Sequence, residues 1–357
     1  MQKQIHDSSI NRDRSCALSH GTWRRVGAKL ACAGACALMV GQLLLPSVAL
    51  AAKWVNVGGT QYNKGAGDEA GTWSWDGADD MKLNGYDGAG ISAQGNLNIG
   101  VTGTNTVTAD SLQSAIEVKD GNLAITGEGT LNATAEPQKS RSAVKVECGS
   151  LAISGDVTLN ATAGTDTIAV SGDGKTGGDV DIRGANVNVT ATNKVPHTIG
   201  IHTRAGNITI NEGADVHVEA EANGGFGAVA VYAENISSEH GGCIAVDNAK
   251  LDAAARNANM LSVALYSFGG KDTYLSITNG ADVTLVASDS VEVLDGVWMR
   301  AQDGVSRVLV ENSSLTVRCG DGTGHSRKHG YGIYSQSGSQ SAIPRIDIIN
   351  SNVEVSG

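Results

Sequence analysis

An apolar–any–apolar triplet recurs nine times along the chain and limits its fold more than any other feature. It appears at Leu97/Ile99, Leu123/Ile125, Leu151/Ile153, Val180/Ile182, Ile208/Ile210, Ile244/Val246, Leu275/Ile277, Val308/Val310 and Ile346/Ile348. Subtraction gives spacings of 26, 28, 29, 28, 36, 31, 33 and 38 residues. Residues 114–135, SAIEVKDGNLAITGEGTLNATA, show the whole unit: Ile116/Val118, then Leu123/Ile125, then Leu131, separated by two glycine turns. A period of two places the apolar side chains on one face of each strand. One unit cannot bury that face alone and needs copies above and below it. The sequence therefore predicts an all-β, right-handed parallel β-helix (β-solenoid) of about nine coils with three strands each. An antiparallel sandwich would need hairpins, which do not give this three-part register.

Residues 1–51 stand apart. Arg24, Arg25 and Lys29 precede an apolar run over residues 30–45, Pro46 ends it, and Ala49-Leu50-Ala51 offers a small-residue cleavage site. This reads as a signal peptide with a polar leader, which places the mature chain outside the cell or on its surface. A membrane anchor is the alternative, since the run approaches spanning length. The cleavage site and the polar chain beyond it favour removal, leaving no membrane span. Cys32 and Cys36 lie inside the run, which argues against a lipoprotein.

The chain has 26 Lys+Arg and 37 Asp+Glu, a net charge of −11. Removing the leader takes away 6 basic and 2 acidic residues, so 20 against 35 leaves −15. That charge disfavours nucleic acid and anionic membranes as partners and admits Ca²⁺ as a cofactor. Cys148, Cys243 and Cys319 remain, an odd number with no metal-binding spacing.

Residues 52–81 differ from the repeats of 82–357. They hold Trp54, Trp73 and Trp75 and few aliphatics, as expected of a cap closing the first coil; a ligand-stacking role is the alternative. Asp76-Gly77, Asp79, Asp80 and Asp87-Gly88 read as turns, with cation binding as the second reading. From residue 223 onward the loops lengthen, ending in the polar GDGTGHSRKHG of 320–330 with His325, Arg327, Lys328 and His329. Insertions on a solenoid often build its functional side. The coil ending at Gly357 is followed by no capping pattern, so either the repeats continue in a longer surface protein or this end associates with something.

Gly95-Asn96, Gly121-Asn122, Gly149-Ser150, Gly178-Asp179, Gly206-Asn207 and Gly242-Cys243 precede the middle strands. Glycine there is expected to supply positive φ, and the polar residue after it a coil-to-coil hydrogen-bond ladder. A second corner recurs at 213–215, 280–282 and 312–314. The sequons at Asn132, Asn160, Asn188 and Asn207 follow from the same Asn/Thr-rich strands.

Aligning the first strands on their apolar pairs predicts two outward columns. The residues between the pairs are Glu117, Lys145, Ala169, Gly200, Ala230, Ala264, Trp298 and Gly332, mostly a smooth Gly/Ala track. The residues after the pairs include His202, Tyr232, Tyr266, Arg300 and Tyr334. At coil spacing of about 4.8 Å these form a ladder. Aromatic rings beside a smooth track suit stacking against sugars, with Trp298 alongside and Arg300 donating hydrogen bonds. A purely structural ladder of stacked rings is the competing reading.

Catalysis has less support. Glycoside hydrolysis needs two carboxylates on one patch, and the alignment shows none on adjacent coils from His202 onward. Arg300 with Asp295 and Asp303 is the best lyase-like grouping. No P-loop or nucleophile elbow is present. An enzyme is disfavoured.

Residues 73–107, WSWDGADDMKLNGYDGAGISAQGNLNIGVTGTNTV, and the GNLAITGEGTLNATA of 121–135 resemble secreted bacterial cell-surface β-helix proteins of the carbohydrate-binding-domain, adhesin-like type. The resemblance implies polysaccharide or host-surface glycan as partner, with Ca²⁺ admitted, and assigns no binding residue. The alternatives are a polysaccharide lyase or glycoside hydrolase on the same fold, and a passive stalk of a larger surface protein.

Overall fold

A computed structural model describes residues 51–109, 114–136, 141–172, 178–193, 197–235, 242–320, 329–338 and 344–357. The leader up to residue 50 and the loop residues 321–328, with His325, Arg327 and Lys328, lie outside the described residues.

Three long sheets of 11, 12 and 10 strands run along the described residues from Trp54 to Ser356, and almost all their pairings are parallel. Each coil gives one strand to each sheet in turn. All nine triplets of the middle strand fall into one register: Leu97 faces Leu123, then Leu151, Val180, Ile208, Ile244, Leu275, Val308 and Ile346. The aliphatic side chains of the three sheets meet in one continuous core that includes Ile125, Leu131, Ile182, Val216, Leu265 and Val310. Burying each such side chain contributes about 1.5–3 kcal/mol, so stacking supplies what one coil cannot.

The N-terminal edge is closed. The strand Trp54–Val57 runs antiparallel to Ile91–Gln94 on the first sheet, with Thr60–Tyr62 beyond it. On the second sheet Trp73–Trp75 runs antiparallel to Asp80–Asn84. Trp73 and Trp75 are buried in the core, and the Trp75 indole N–H donates to the Ala78 carbonyl at 3.0 Å. Asp76 Oδ1 accepts from the N–H groups of Ala78 and Asp80 at 2.8 and 3.1 Å, which is turn chemistry.

At the corner before the second sheet each polar side chain accepts from the backbone of the next coil. Asn96 accepts from Asn122 N at 3.0 Å, Asn122 from Ser150 N at 2.9 Å, Ser150 from Asp179 N at 3.2 Å, Asp179 from Asn207 N at 2.8 Å, and Asn207 from Cys243 N at 3.0 Å. The glycines there need correction. Only Gly95 and Gly178 have positive φ. At Gly121, Gly149 and Gly206 glycine is required by close approach: a Cβ would lie 2.3, 1.9 and 2.4 Å from the backbone of the coil beneath. On the third sheet Asn160 donates to Asn132 and Asn188 to Asn160, at 2.8 and 2.9 Å. Three of the sequons thus belong to an amide ladder.

The first sheet holds the main departure from the predicted alignment. Asp166 faces Ile199, yet Ile168 faces Ile201, and the residues between, Thr167 and Gly200, are skipped. The same skip recurs at Ala230, Ala264, Gly296 and Gly332. These residues point inward. Ala230 and Ala264 belong to the core, and a Cβ on Gly200, Gly296 or Gly332 would lie 2.3, 2.0 or 2.0 Å from Val218, Val317 or Val355 Cγ1. The expected Gly/Ala surface track is therefore interior at Gly200, Ala230, Ala264 and Gly332, while Ala169 stays on the outer face. The extra inward residue breaks the period of two, as a bulge does, and resets every outward position after it.

Candidate functional site

The outer face of the first sheet is where the chain concentrates aromatic side chains. Its strands grow from four residues in Ile116–Lys119 and Val144–Glu147 to nine in Gly227–Asn235, Leu261–Gly269, Val293–Ala301 and His329–Ser337. The wider strands carry three columns beside one another.

The central column runs Glu117, Lys145, Ala169, His202, Tyr232, Tyr266, Trp298, Tyr334. Trp298, expected in the track, is the fourth ring of the ladder, because Val297 pairs with Leu265. Arg300, expected in the ladder, faces Phe268 in the next column, and Gln336 follows it. The third column runs Asp166, Ile199, Val229, Val263, Asp295, Tyr331. Val229, expected to fill the interior, is buried but lies outside the central core.

The column changes character along its length. At its start Lys119 and Lys145 lie 3.6 and 3.7 Å from Glu117 Oε1. From His202 onward it is aromatic. His202 stacks on Tyr232 and Tyr232 on Tyr266, both at 4.7 Å between centroids, with planes 8° and 13° apart. Rings stacked so closely cover each other's faces and turn their edges outward. Tyr266 and Trp298 then open to 31° at 4.9 Å, and Trp298 and Tyr334 to 44° at 6.3 Å. Tyr331 stacks on Tyr334 at 4.9 Å. The Arg300 guanidinium lies over the Phe268 ring, 5.3 Å from its centroid, a cation–π contact. Burial raises the pKa of both Tyr232 and Tyr266. Glu234 reinforces the shift at Tyr232, and the positive charge of Arg300 opposes it at Tyr266.

At the foot of the ladder the structure assembles a group that the sequence alignment missed. Buried His202 has Nδ1 3.3 Å from Asp166 Oδ2 and Nε2 3.6 Å from Glu234 Oε2. Arg204 Nη2 lies 3.2 Å from the same Asp166 oxygen. Burial pushes the Asp166 carboxyl up, but His202 and Arg204 outweigh it and hold the carboxyl below its ordinary range. Burial likewise works against the imidazolium, and the Asp166 and Glu234 carboxylates outweigh it, leaving His202 raised. Asp166 and Glu234 each lie on a coil next to His202. The skipped residue hides this in a strict period-two alignment, since it moves Asp166 from the inward to the outward face.

Among the described residues no cluster of three or more His, Cys, Asp or Glu is arranged to hold a metal ion. A polar groove lined by Gly280, Asp282, Asn312, Ser314, Asn350 and Asn352 lies at the corner between the second and third sheets, away from the ladder. The face can therefore offer rings, ring edges, hydroxyls and one guanidinium to an extended polar partner. Compared with protein-family models, curated proteins and solved structures, the chain finds no match.

Proposed function

We propose that this chain is an exported surface or secreted β-helix that binds glycan along the outer face of its first sheet. The leader pattern supports export, and the usual hand of parallel crossovers supports a right-handed winding of about nine coils. The observation that carries the binding reading is the in-register run Tyr266–Trp298–Tyr334 beside Arg300 and Phe268. Tilted rings next to a guanidinium offer dispersion contact and directed donors to a sugar chain. The tighter His202–Tyr232–Tyr266 stack is the support beneath that platform, since its faces are spent on one another.

A glycan array probed with the purified protein tests this. Wild-type protein is expected to retain at least one glycan class. Trp298→Ala or Arg300→Ala is expected to weaken retention by about tenfold, the loss of roughly 1.4 kcal/mol. An array with no retained glycan, or one on which neither substitution matters, defeats the reading.

One observation favours a second reading, a polysaccharide hydrolase or lyase: Asp166 and Glu234 share the ladder's face. Both are engaged by His202, so they serve it before they could serve a substrate. Turnover of polysaccharide, abolished by Glu234→Gln, would move the assignment to that class.

A further inference from the structure

We propose that the proton on His202 sets the packing of the aromatic ladder, so that the ladder's foot is ordered when His202 is charged and loosens when it is neutral. The inference rests on the glycan reading only for its consequence, because the device itself concerns the chain's own side chains.

The geometry carries the argument. His202 is only 4% exposed. One nitrogen faces Asp166 and the other faces Glu234, at ion-pair distances rather than in well-aligned hydrogen bonds. A neutral imidazole has one N–H donor and one bare lone pair. Whichever tautomer forms, one carboxylate then faces a lone pair at close range. Only the imidazolium gives each carboxylate a donor. The two carboxylates are not equivalent. Asp166 keeps Arg204 as a second cation, whereas among the described residues Glu234 has an ion pair with His202 alone. Loss of the proton therefore acts chiefly on Glu234.

Glu234 is placed to pass that change on. It lies close enough to Tyr232, the ring stacked on His202, for its charge to raise the pKa of that hydroxyl, and it faces Phe268, over which Arg300 lies. The other charged groups nearby are occupied elsewhere. On Asp215–Glu221, packed against the His202 strand, Asp215 pairs with Lys250, Glu219 with Arg256, Glu221 accepts from Asn257, and His217 is exposed. His197, on the same strand as His202, is held below its usual value by burial and packs on Phe226.

The sign follows from the directions. The folded pKa of His202 is raised, so its contribution is fully present below the ordinary histidine value of about 6.5 and is lost as pH rises through the folded value. That of Asp166 is lowered, so its contribution holds above the ordinary carboxylate range and is lost as pH falls through the folded value. The foot is best ordered between the two.

The test follows the ring signals directly. Near-ultraviolet circular dichroism and the His202 imidazole NMR resonances are recorded on the full protein from about pH 5 to about pH 9, spanning the ordinary histidine value. The expected result is one transition common to both signals, centred above the ordinary histidine value. Glu234→Gln, which keeps size and removes the charge, should move the midpoint to lower pH and shrink the aromatic change. His202→Phe should remove the transition while keeping the stack. A His202 midpoint at or below the ordinary value, or an aromatic signal flat through the midpoint, overturns the proposal. The same glycan array at both pH extremes separates the two readings. Retention lost at the higher pH supports both. No retained glycan at any pH, with the transition present, leaves the proton device standing and removes the glycan assignment.

Discussion

At the residue scale the least conspicuous side chains decide the surface. Gly200, Ala230, Ala264 and Gly332 look like a smooth exterior track, yet each turns inward, as does Gly296. They are small because aliphatic side chains opposite leave no room. Val218 Cγ1 would stand 2.3 Å from a Cβ on Gly200. Gly200→Ala is therefore expected to cost about 1–3 kcal/mol through overpacking. Adding Val218→Ala should recover part of that loss, a positive coupling that a double-mutant cycle in urea would measure. Additive losses would mean that the two positions do not compete for space. His202 teaches a related lesson. Its two ion-pair partners are carboxylates from two other coils, and only Arg204, two residues along the chain, acts on the group from nearby in sequence.

At the element scale the coil is held by corners as well as by strands. The polar residue opening each second-sheet strand accepts a backbone N–H from the coil above, from Asn96 through Asn207. Such a ladder fixes the rise between coils without burying apolar area. Asn122→Ala leaves Ser150 N without its acceptor and is expected to lower stability by about 1 kcal/mol. A thermal melt should show the drop. Native-state hydrogen exchange should show it centred on Ser150 and its neighbours, and unchanged exchange there would count against the ladder. The position and spacing that the sequence predicts for the middle strands hold throughout, and their buried face holds through Val308/Val310, whereas Ile346 and Ile348 of the last coil are exposed. The first strands do not follow their predicted alignment, because one extra inward residue interrupts the alternation.

At the scale of the whole molecule the two ends of the described solenoid differ. At the N-terminal edge antiparallel strands around Trp54, Trp73 and Trp75 cover the first coil of two sheets. Without them Met81, Leu83 and Ile91, all fully buried, would meet water along unpaired strand edges. Deleting residues 52–76 is expected to make the protein aggregate at micromolar concentration, readable by light scattering. A monodisperse deletion variant would show that the tryptophans do not act as a cap. Along the axis, the first sheet changes from a four-residue strip of ion pairs to a nine-residue face of rings. The proposed glycan platform and its proton-sensitive foot both lie in that wider half.

The sequence by itself determined the all-β repeat, the three strands per coil, the register of the middle strands and the corner ladder. Each follows from alternation at a period of two and from glycine at fixed offsets, which are local signals. It also singled out His202, Tyr232, Tyr266, Trp298, Arg300 and Tyr334 as members of one face. Only the tertiary structure decided which rings share a column, that Arg300 lies over Phe268, and that Asp166 and Glu234 close on His202. Those outcomes depend on registers between coils some thirty residues apart. A single inward residue per strand shifts every outward neighbour, and the packing that demands it comes from the opposite sheet.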